Sequence, residues 1–229
     1  RGKLHVETRF ETSALECPCL LPVDGDPRDP KTRWALIYGL MNAEDKETGR
    51  KNLTMVDIGW FDGTRFTKEF GRELDFGTDN YAFQAFVDAG TPVGIGWLGN
   101  WADTGPTIEF PTAMTLPRTL VLSDGELLTP PIGAAESLRA HMIDRTRLAS
   151  GQAVSLPTGA AEVLFDLNEA GAPFRLDFDH PGVELALVQH EEGLEIVYGR
   201  KGPEPSRTGP RYIARRASVS RLRIFIDYG

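Results

Sequence analysis

A glutamate lies between apolar residues in the stretch ALECPCLLPVDGD, residues 14–26. A carboxyl group with apolar neighbours is suited to donating a proton near neutral pH, so Glu16 is a candidate general acid. A thiol or metal site, or a structural residue at a strand end, would also suit this stretch. Cys17 and Cys19 are too close for an unstrained disulfide. Two free thiols are therefore expected, which favours a reducing compartment such as the cytoplasm.

Motifs for cofactors and metals are weak in this sequence. None of the four histidines stands at a metal-ligand spacing with a cysteine, so no metal site is predicted. GIGWLG, residues 94–99, has the letters of a dinucleotide-binding loop, but no helical pattern follows it. We therefore expect no cofactor, and we expect these glycines to let neighbouring backbone or a ligand approach a strand closely.

Aromatic residues supply a second candidate feature. Tryptophan rings exposed at strand ends would form flat apolar platforms of the kind on which sugar rings stack. Trp97 and Trp101 are candidates for such a platform, and packing in the core is an equally good interpretation of both. Taken alone, the residues predict an all-β protein with an acid–aromatic cleft suited to carbohydrate.

The elements that must position these residues are short strands. Apolar runs at 34–40, 53–61, 81–87 and 92–98 are rich in β-forming residues and are separated by Gly, Pro, Asp and Asn. Asp124-Gly125 predicts a tight hairpin turn. Short, evenly spaced strands are typical of propeller blades or sandwiches.

The pattern changes around residues 133–146, which form the one segment with helical character. Beyond it, runs at 161–167, 174–178 and 183–187 each have one apolar face, as the strands of a sandwich do. We therefore predict two all-β units, with a propeller-like unit over residues 1–138 and a β-sandwich over residues 139–229.

Charge and hydropathy exclude two classes of partner. The net charge of −8 argues against binding a nucleic acid, because phosphate contacts need clustered Lys and Arg. No run approaches the roughly 18 apolar residues of a membrane-spanning helix, so no membrane partner is expected.

Several blocks of the sequence, in order, resemble glycoside hydrolase family 32, the group of invertases, levanases and sucrose-6-phosphate hydrolases. The last of them, RLRIFIDYG at 221–229, resembles the strand that enters the final hairpin of the family's sandwich. The other four are ECPCLLPVDG at 16–25, LDFGTDNYAFQAF at 74–86, IGWLGNW at 95–101 and AMTLPRTLVLSDGELLTPPI at 113–132.

The resemblance implies part of a five-bladed β-propeller that carries the active site, followed by a β-sandwich. It implies a retaining β-fructofuranosidase whose partner is a fructose-containing saccharide: sucrose, sucrose-6-phosphate or a fructan. By the same resemblance Glu16 is the general acid/base, and Cys17, Tyr81 and Trp101 line the fructose subsite. A fructosyltransferase and a non-catalytic carbohydrate-binding protein are the alternatives.

The sequence departs from the family pattern in two ways. Cys19 stands where the E-C-P block usually has Asp. In addition, neither the W-M-N-D-P-N-G block with the nucleophilic Asp nor an R-D-P block precedes Glu16. Arg28-Asp29-Pro30 spells R-D-P after Glu16, and we interpret it as a coincidence. The chain is therefore expected to be the C-terminal portion of such an enzyme, incomplete at the end of its sandwich and inactive without the remainder of the parent polypeptide.

Overall fold

The computed structural model forms two compact units. One comprises Arg1–Ile132 with Thr208–Tyr212, and the other comprises Gly133–Arg207 with Ile213–Gly229. The structure describes residues 3–77, 79–88, 90–101, 113–140, 142, 149–156, 159–180, 183–200, 211–215 and 219–226.

Strands make up nearly all of the regular structure. The helix in the described residues is a 3₁₀ helix at Gly133–Leu138, inside the segment predicted to have helical character. No helix in these ranges is long and apolar enough to cross a membrane. The strands are β1 Ala14–Pro22, β2 Arg33–Asp45, β3 Arg50–Phe61, β4 Phe66–Glu73, β5 Tyr81–Asp88, β6 Thr91–Leu98, β7 Ala113–Met114, β8 Arg118–Thr119, β9 Val121–Ser123, β10 Glu126–Leu128, β11 Ala161–Asp166, β12 Phe174–His180, β13 Val183–His190, β14 Gly193–Arg200, β15 Tyr212–Ala214 and β16 Arg221–Ile226.

Strands β1 to β4 form an antiparallel meander in chain order, which is the arrangement of a propeller blade. Side chains alternate across a strand, and both faces of β2 are buried. Ala35 and Ile37 belong to a core that also contains residues of β1 and β5. Leu36 and Leu40 belong to a second core on the other side. Burial on both faces explains why β2 is a continuous apolar run rather than an alternating one.

The next sheet contains β5, β6 and β7, with β8 also paired to β6. The GIGWLG stretch runs along β6 instead of forming a loop before a helix. A side chain at Gly94 would collide with the ring of Phe83, and one at Gly96 would collide with the amide of Asn80. These glycines therefore make room for neighbouring side chains, whereas the sequence predicted a close approach of backbone or a ligand.

The predicted hairpin at Asp124-Gly125 joins β9 to β10. Ser123 pairs with Glu126, and the two turn residues have φ angles of 50° and 76°. Two successive positive φ angles match the right-handed twist of the strands they connect, and Asp-Gly adopts them at little cost. The turn prediction is confirmed.

The second unit contains a pair of strands, β11 with β16, and an antiparallel sheet of β12, β13 and β14, to which Ile213 and Ala214 of β15 add a fourth strand. Glu162 on β11 pairs with Arg139, which follows the 3₁₀ helix, and with Arg223 on β16. Hydrogen bonds from Arg139 come first among the causes that hold the pKa of Glu162 at about 2, against the opposing effect of burial. The carboxylate therefore stays ionised and ties the helix segment to this strand pair.

A buried carboxylate on β3 forms ion pairs within the first unit. Asp57 is 0% exposed, in the middle of an apolar strand. Its Oδ1 atom lies 2.8 Å from Lys68 Nζ and 3.1 Å from Arg9 Nη2. Gly71 pairs with Asp57 on β4, and a side chain there would collide with the carboxylate. The cations compensate the desolvation of Asp57, and Gly71 provides the space.

The segment before β1 is held by the same group of charges. Glu7 accepts a hydrogen bond from Arg9 Nη2 at 2.7 Å, and its Oε2 lies 2.8 Å from the Tyr38 hydroxyl. Burial alone would raise the pKa of Glu7, but the hydrogen bonds from Arg9 and Tyr38 lower it from 4.5 to about 2. Glu7 is thus a charged anchor that docks this segment on the blade.

The depressed pKa of Glu7 predicts how stability depends on pH. Because the folded-state pKa lies below the ordinary value of 4.5, the stabilisation is complete above that pH and is lost as the pH falls through about 2. Glu7→Gln should therefore be less stable than the wild type at neutral pH, and it should lose less stability across this window. Urea unfolding at several pH values measures both effects. Glu11→Gln, an exposed neighbour, is the control, and identical pH profiles for the two variants would contradict the assignment.

Candidate active site

Strand β1 places Glu16 beside a β-bulge. Glu16 pairs with Gly39 and Cys19 pairs with Ile37, so two residues of β1 oppose one residue of β2. Cys17, inside the bulge, has a φ of 48°. Residues three apart on a regular strand point to opposite faces. The bulge overrides this alternation, because the side chains of Glu16 and Cys19 both contact β5.

Tyr81 is the partner of Glu16. Its hydroxyl donates a hydrogen bond to Glu16 Oε2 at 2.9 Å, and the residue is only 1% exposed. Its ring lies over Gly39, where any side chain would collide with it. Burial and the hydrogen bond to Glu16 raise the pKa of Tyr81, so its hydroxyl stays protonated and remains a donor.

The two cysteines have different surroundings, and both are free thiols as expected. Cys17 is exposed, and its carbonyl oxygen accepts a hydrogen bond from Gln84 Nε2 at 2.8 Å. Cys19 is buried in the core, with its Sγ 3.2 Å from the carbonyl oxygen of Ala85 and 3.4 Å from the Ala85 nitrogen. Burial raises the pKa of the Cys19 thiol. A thiol can both donate and accept, so Cys19 satisfies both backbone groups of Ala85 and connects β1 to β5.

Two tryptophans extend the site from Tyr81. Tyr81 pairs with Trp97 on β6, beside a second bulge at Ala82 and Phe83. The Trp97 ring centroid lies 4.8 Å from that of Trp101, with the planes tilted by 58°. Trp101 is 62% exposed, so its ring presents a large apolar surface. Glu16 and Tyr81 therefore meet directly, and strand pairing and ring contact connect Tyr81 to Trp101 through Trp97.

The R-D-P tripeptide lies away from this site. It follows Pro22, the last residue of β1, and Glu16 is near the first. A strand rises about 3.3 Å per residue, which places the end of β1 about 20 Å from Glu16. Asp29 is exposed and accepts a hydrogen bond from the backbone N–H of Lys31, so it stabilises a turn. Within the described ranges, no three His, Cys, Asp or Glu side chains are grouped to hold a metal ion.

Sequence reasoning missed two residues of the site. Gln84 supports the bulge through the carbonyl of Cys17, and Gly39 makes room for Tyr81. Gln84 had a visible signal, since it is a polar residue in an aromatic strand. Gly39 had none, because the ring that requires a glycine there lies 42 positions further along the chain.

The fold and this site define a class of protein: an all-β protein in which a buried tyrosine holds a carboxyl group and connects through Trp97 to an exposed tryptophan ring, as in proteins that handle carbohydrate. Residues 2–131 match the model of the glycosyl hydrolases family 32 N-terminal domain. The chain therefore belongs to glycoside hydrolase family 32, as the sequence blocks indicated.

Relatives with assigned functions support the same family. The chain is 35% identical to an extracellular exo-inulinase of Meyerozyma guilliermondii, with 91% of this chain and 42% of that protein aligned. It is 33% identical to a sucrose-6-phosphate hydrolase of Escherichia coli, with 82% of this chain and 41% of that protein aligned. The chain thus spans less than half the length of these relatives.

Solved structures agree on the fold. The GH32 β-fructofuranosidase BmSUC1 of Bombyx mori superposes with a TM-score of 0.73 at 22% identity, covering 93% of this chain and 45% of that one. A variant of that enzyme was solved in complex with sucrose. The fold is confirmed as part of a β-propeller followed by a β-sandwich.

The bond between Tyr81 and Glu16 predicts an energetic coupling between the two residues. Tyr81→Phe removes the hydroxyl and keeps the ring over Gly39, and Glu16→Ala removes the acceptor. A double-mutant cycle on the unfolding free energy should give a coupling of about 1 kcal/mol, the net value of one such hydrogen bond. Tyr81→Phe combined with Glu11→Ala should be additive, and additivity in both cycles would argue against the bond.

Proposed function

We propose that the protein containing this chain is a retaining β-fructofuranosidase that hydrolyses sucrose, sucrose-6-phosphate or a fructan, with Glu16 as its general acid/base. One observation carries the proposal: a buried tyrosine beside a bulge holds a half-buried carboxyl group and is connected through Trp97 to the exposed ring of Trp101. Bulges commonly aim side chains next to active sites. The names of the relatives, exo-inulinase and sucrose-6-phosphate hydrolase, support the same chemistry.

In the mechanism, two carboxyl groups flank the bond between fructose and its leaving group. A carboxylate attacks the anomeric carbon while Glu16 protonates the departing oxygen, which leaves a covalent fructosyl-enzyme. Glu16, now ionised, removes a proton from water as the water displaces the enzyme carboxylate. The donor and nucleophile of a retaining pair lie about 5–5.5 Å apart. The Tyr81 hydroxyl stays in place through both steps and accommodates either state of Glu16.

The other predicted residues fit a fructose subsite around Glu16. Cys17 is exposed on the bulge next to the proposed acid, and Trp101 offers an apolar ring surface. Tyr81 is too deeply buried to present much surface to a sugar, so we assign its part in the subsite to holding the Glu16 carboxyl group.

Replacing Glu16 tests the proposed acid. Glu16→Gln keeps the size of the side chain and removes the transferable proton, so kcat in the complete protein should fall by roughly 10²–10⁴-fold. Substrate should still bind. A fructosyl donor with a fluoride leaving group needs no protonation and should lose less in the first bond-breaking step. Steady-state and burst kinetics measure these effects, with Glu11→Gln as the control, and near-normal turnover of sucrose by Glu16→Gln would exclude the assignment.

The missing partner carboxylate provides a second test. The polypeptide upstream of Arg1 should contain a W-M-N-D-P-N-G-like block, and replacing its Asp by Asn should abolish turnover while the protein remains folded by circular dichroism. The 229-residue chain alone should be inactive. An upstream sequence without such an Asp would instead support a non-catalytic carbohydrate-binding protein.

A further inference from the structure

Trp101 lies three residues beyond the end of β6, so strand pairing does not hold it. The residue before it, Asn100, is 2% exposed. Asn100 Nδ2 donates to the carbonyl oxygen of Lys51 at 3.0 Å, and Asn100 Oδ1 accepts from Asn52 Nδ2 at 2.8 Å. Both ends of the Asn100 amide are thus bonded to consecutive residues of β3, in the neighbouring sheet.

Asn52 is itself tightly constrained. It is 4% exposed, and its Oδ1 accepts a hydrogen bond from the backbone N–H of Asn42 at 2.9 Å. Asn52 and Asn42 have φ angles of 54° and 60°, a left-handed conformation that asparagine tolerates better than most residues. The amide orientation of Asn52 is therefore fixed, with the oxygen toward Asn42 and the nitrogen toward Asn100.

Strand β3 also holds the backbone before Tyr81. Thr54 Oγ1 donates to the carbonyl oxygen of Asn80 at 2.8 Å. Asn52 and Thr54 thus contact the residues that immediately precede Trp101 and Tyr81. Strand β3 supplies none of the predicted site residues, yet it fixes the backbone next to two of them.

We propose that Asn52 is a positioning residue that holds Trp101 in the substrate subsite by binding the side chain of Asn100. The role of Trp101 in binding sugar rests on the proposed function, whereas the fixing of its ring does not. Asn52 acts through Asn100 and has no part in bond breaking. Its effect should therefore appear in substrate binding more than in turnover.

The sequence around Asn52 also matches a glycosylation site, and the fold makes that site inaccessible. Asn52-Leu53-Thr54 is a formal N-glycosylation triplet, and a glycan would be attached to Asn52 Nδ2. In the folded chain that nitrogen is buried and donates to Asn100. The fold uses both polar groups of the triplet, the amide of Asn52 and the hydroxyl of Thr54, for internal hydrogen bonds.

Asn52→Asp tests the proposal with little change in shape. The carboxylate can still accept from the Asn42 N–H, but it cannot donate to Asn100 Oδ1. Turning the Asn100 amide around would satisfy Asp at 52 and would bring the Asn100 oxygen against the Lys51 carbonyl. Asn42→Asp is the matched control, because it adds the same charge in the same hairpin at an exposed side chain and keeps the backbone N–H.

The first measurement is independent of activity. Two indole rings as close as those of Trp97 and Trp101 give an exciton couplet in far-ultraviolet circular dichroism. The difference spectrum between the wild type and Trp101→Phe defines this couplet in the complete protein. Asn52→Asp should reproduce most of that difference, and Asn42→Asp should leave the couplet intact.

The second measurement is kinetic, on sucrose. Asn52→Asp should raise KM about tenfold, the equivalent of one hydrogen bond, while kcat changes much less. Asn42→Asp should match the wild type. If Asn52→Asp does not fold, Asn52→Gly and Asn42→Gly form a second matched pair, because glycine tolerates both positive φ angles.

The possible results separate the two proposals. A couplet that survives at Asn52→Asp and Asn52→Gly, or that is lost equally in the Asn42 variants, overturns the positioning role. A wild-type protein that cleaves no fructoside overturns the proposed function, while the couplet still decides the role of Asn52.

Discussion

The contact between β1 and β5 depends on the bulge at Cys17 and Pro18. On a regular strand without the bulge, Glu16 and Cys19, which are three residues apart, would point to opposite faces of β1, and only one of them could meet β5. With it, Glu16 reaches the Tyr81 hydroxyl and Cys19 reaches the backbone of Ala85. The core that contains Cys19 and the candidate active site are thus built on the same irregularity. A bulge disrupts the strand ladder locally, and Gln84 compensates by binding the freed carbonyl of Cys17.

Several polar side chains are buried near the site, and hydrogen bonds compensate for their burial. A buried amide or hydroxyl destabilises a protein unless it is hydrogen-bonded. Asn52, Asn100 and Thr54 meet this requirement with backbone and side-chain partners on neighbouring strands or on the residues next to them. Because each of these bonds is directional, the network holds the strand ends in one geometry, which an apolar contact would not do.

Glu16 and Asp57 show how one sequence signal leads to two outcomes. Each is a carboxyl group in an apolar run of a strand. Of these two, the sequence indicated only Glu16 as a candidate functional residue. Asp57 is completely buried against Lys68 and Arg9, so its charge serves to hold the blade and the segment before β1 together. Glu16 accepts a hydrogen bond from a neutral tyrosine hydroxyl and remains half-buried, so its surroundings differ from those of Asp57. The local sequence around the two carboxyl groups is therefore similar, and their partners in the fold distinguish them.

The sequence by itself determined the strands, the Asp124-Gly125 turn, the two all-β folds and the family, because alternation, turn chemistry and ordered motif blocks are local properties. It also identified Glu16, Cys17, Tyr81 and Trp101 as candidates through the family's motifs. Only the tertiary structure decided that Tyr81 donates to Glu16, that Cys19 bonds to the backbone of Ala85, and that Asn52 binds Asn100. These contacts join residues that are tens of positions apart, and which pairs meet depends on bulges and strand register, which a one-residue shift would change completely.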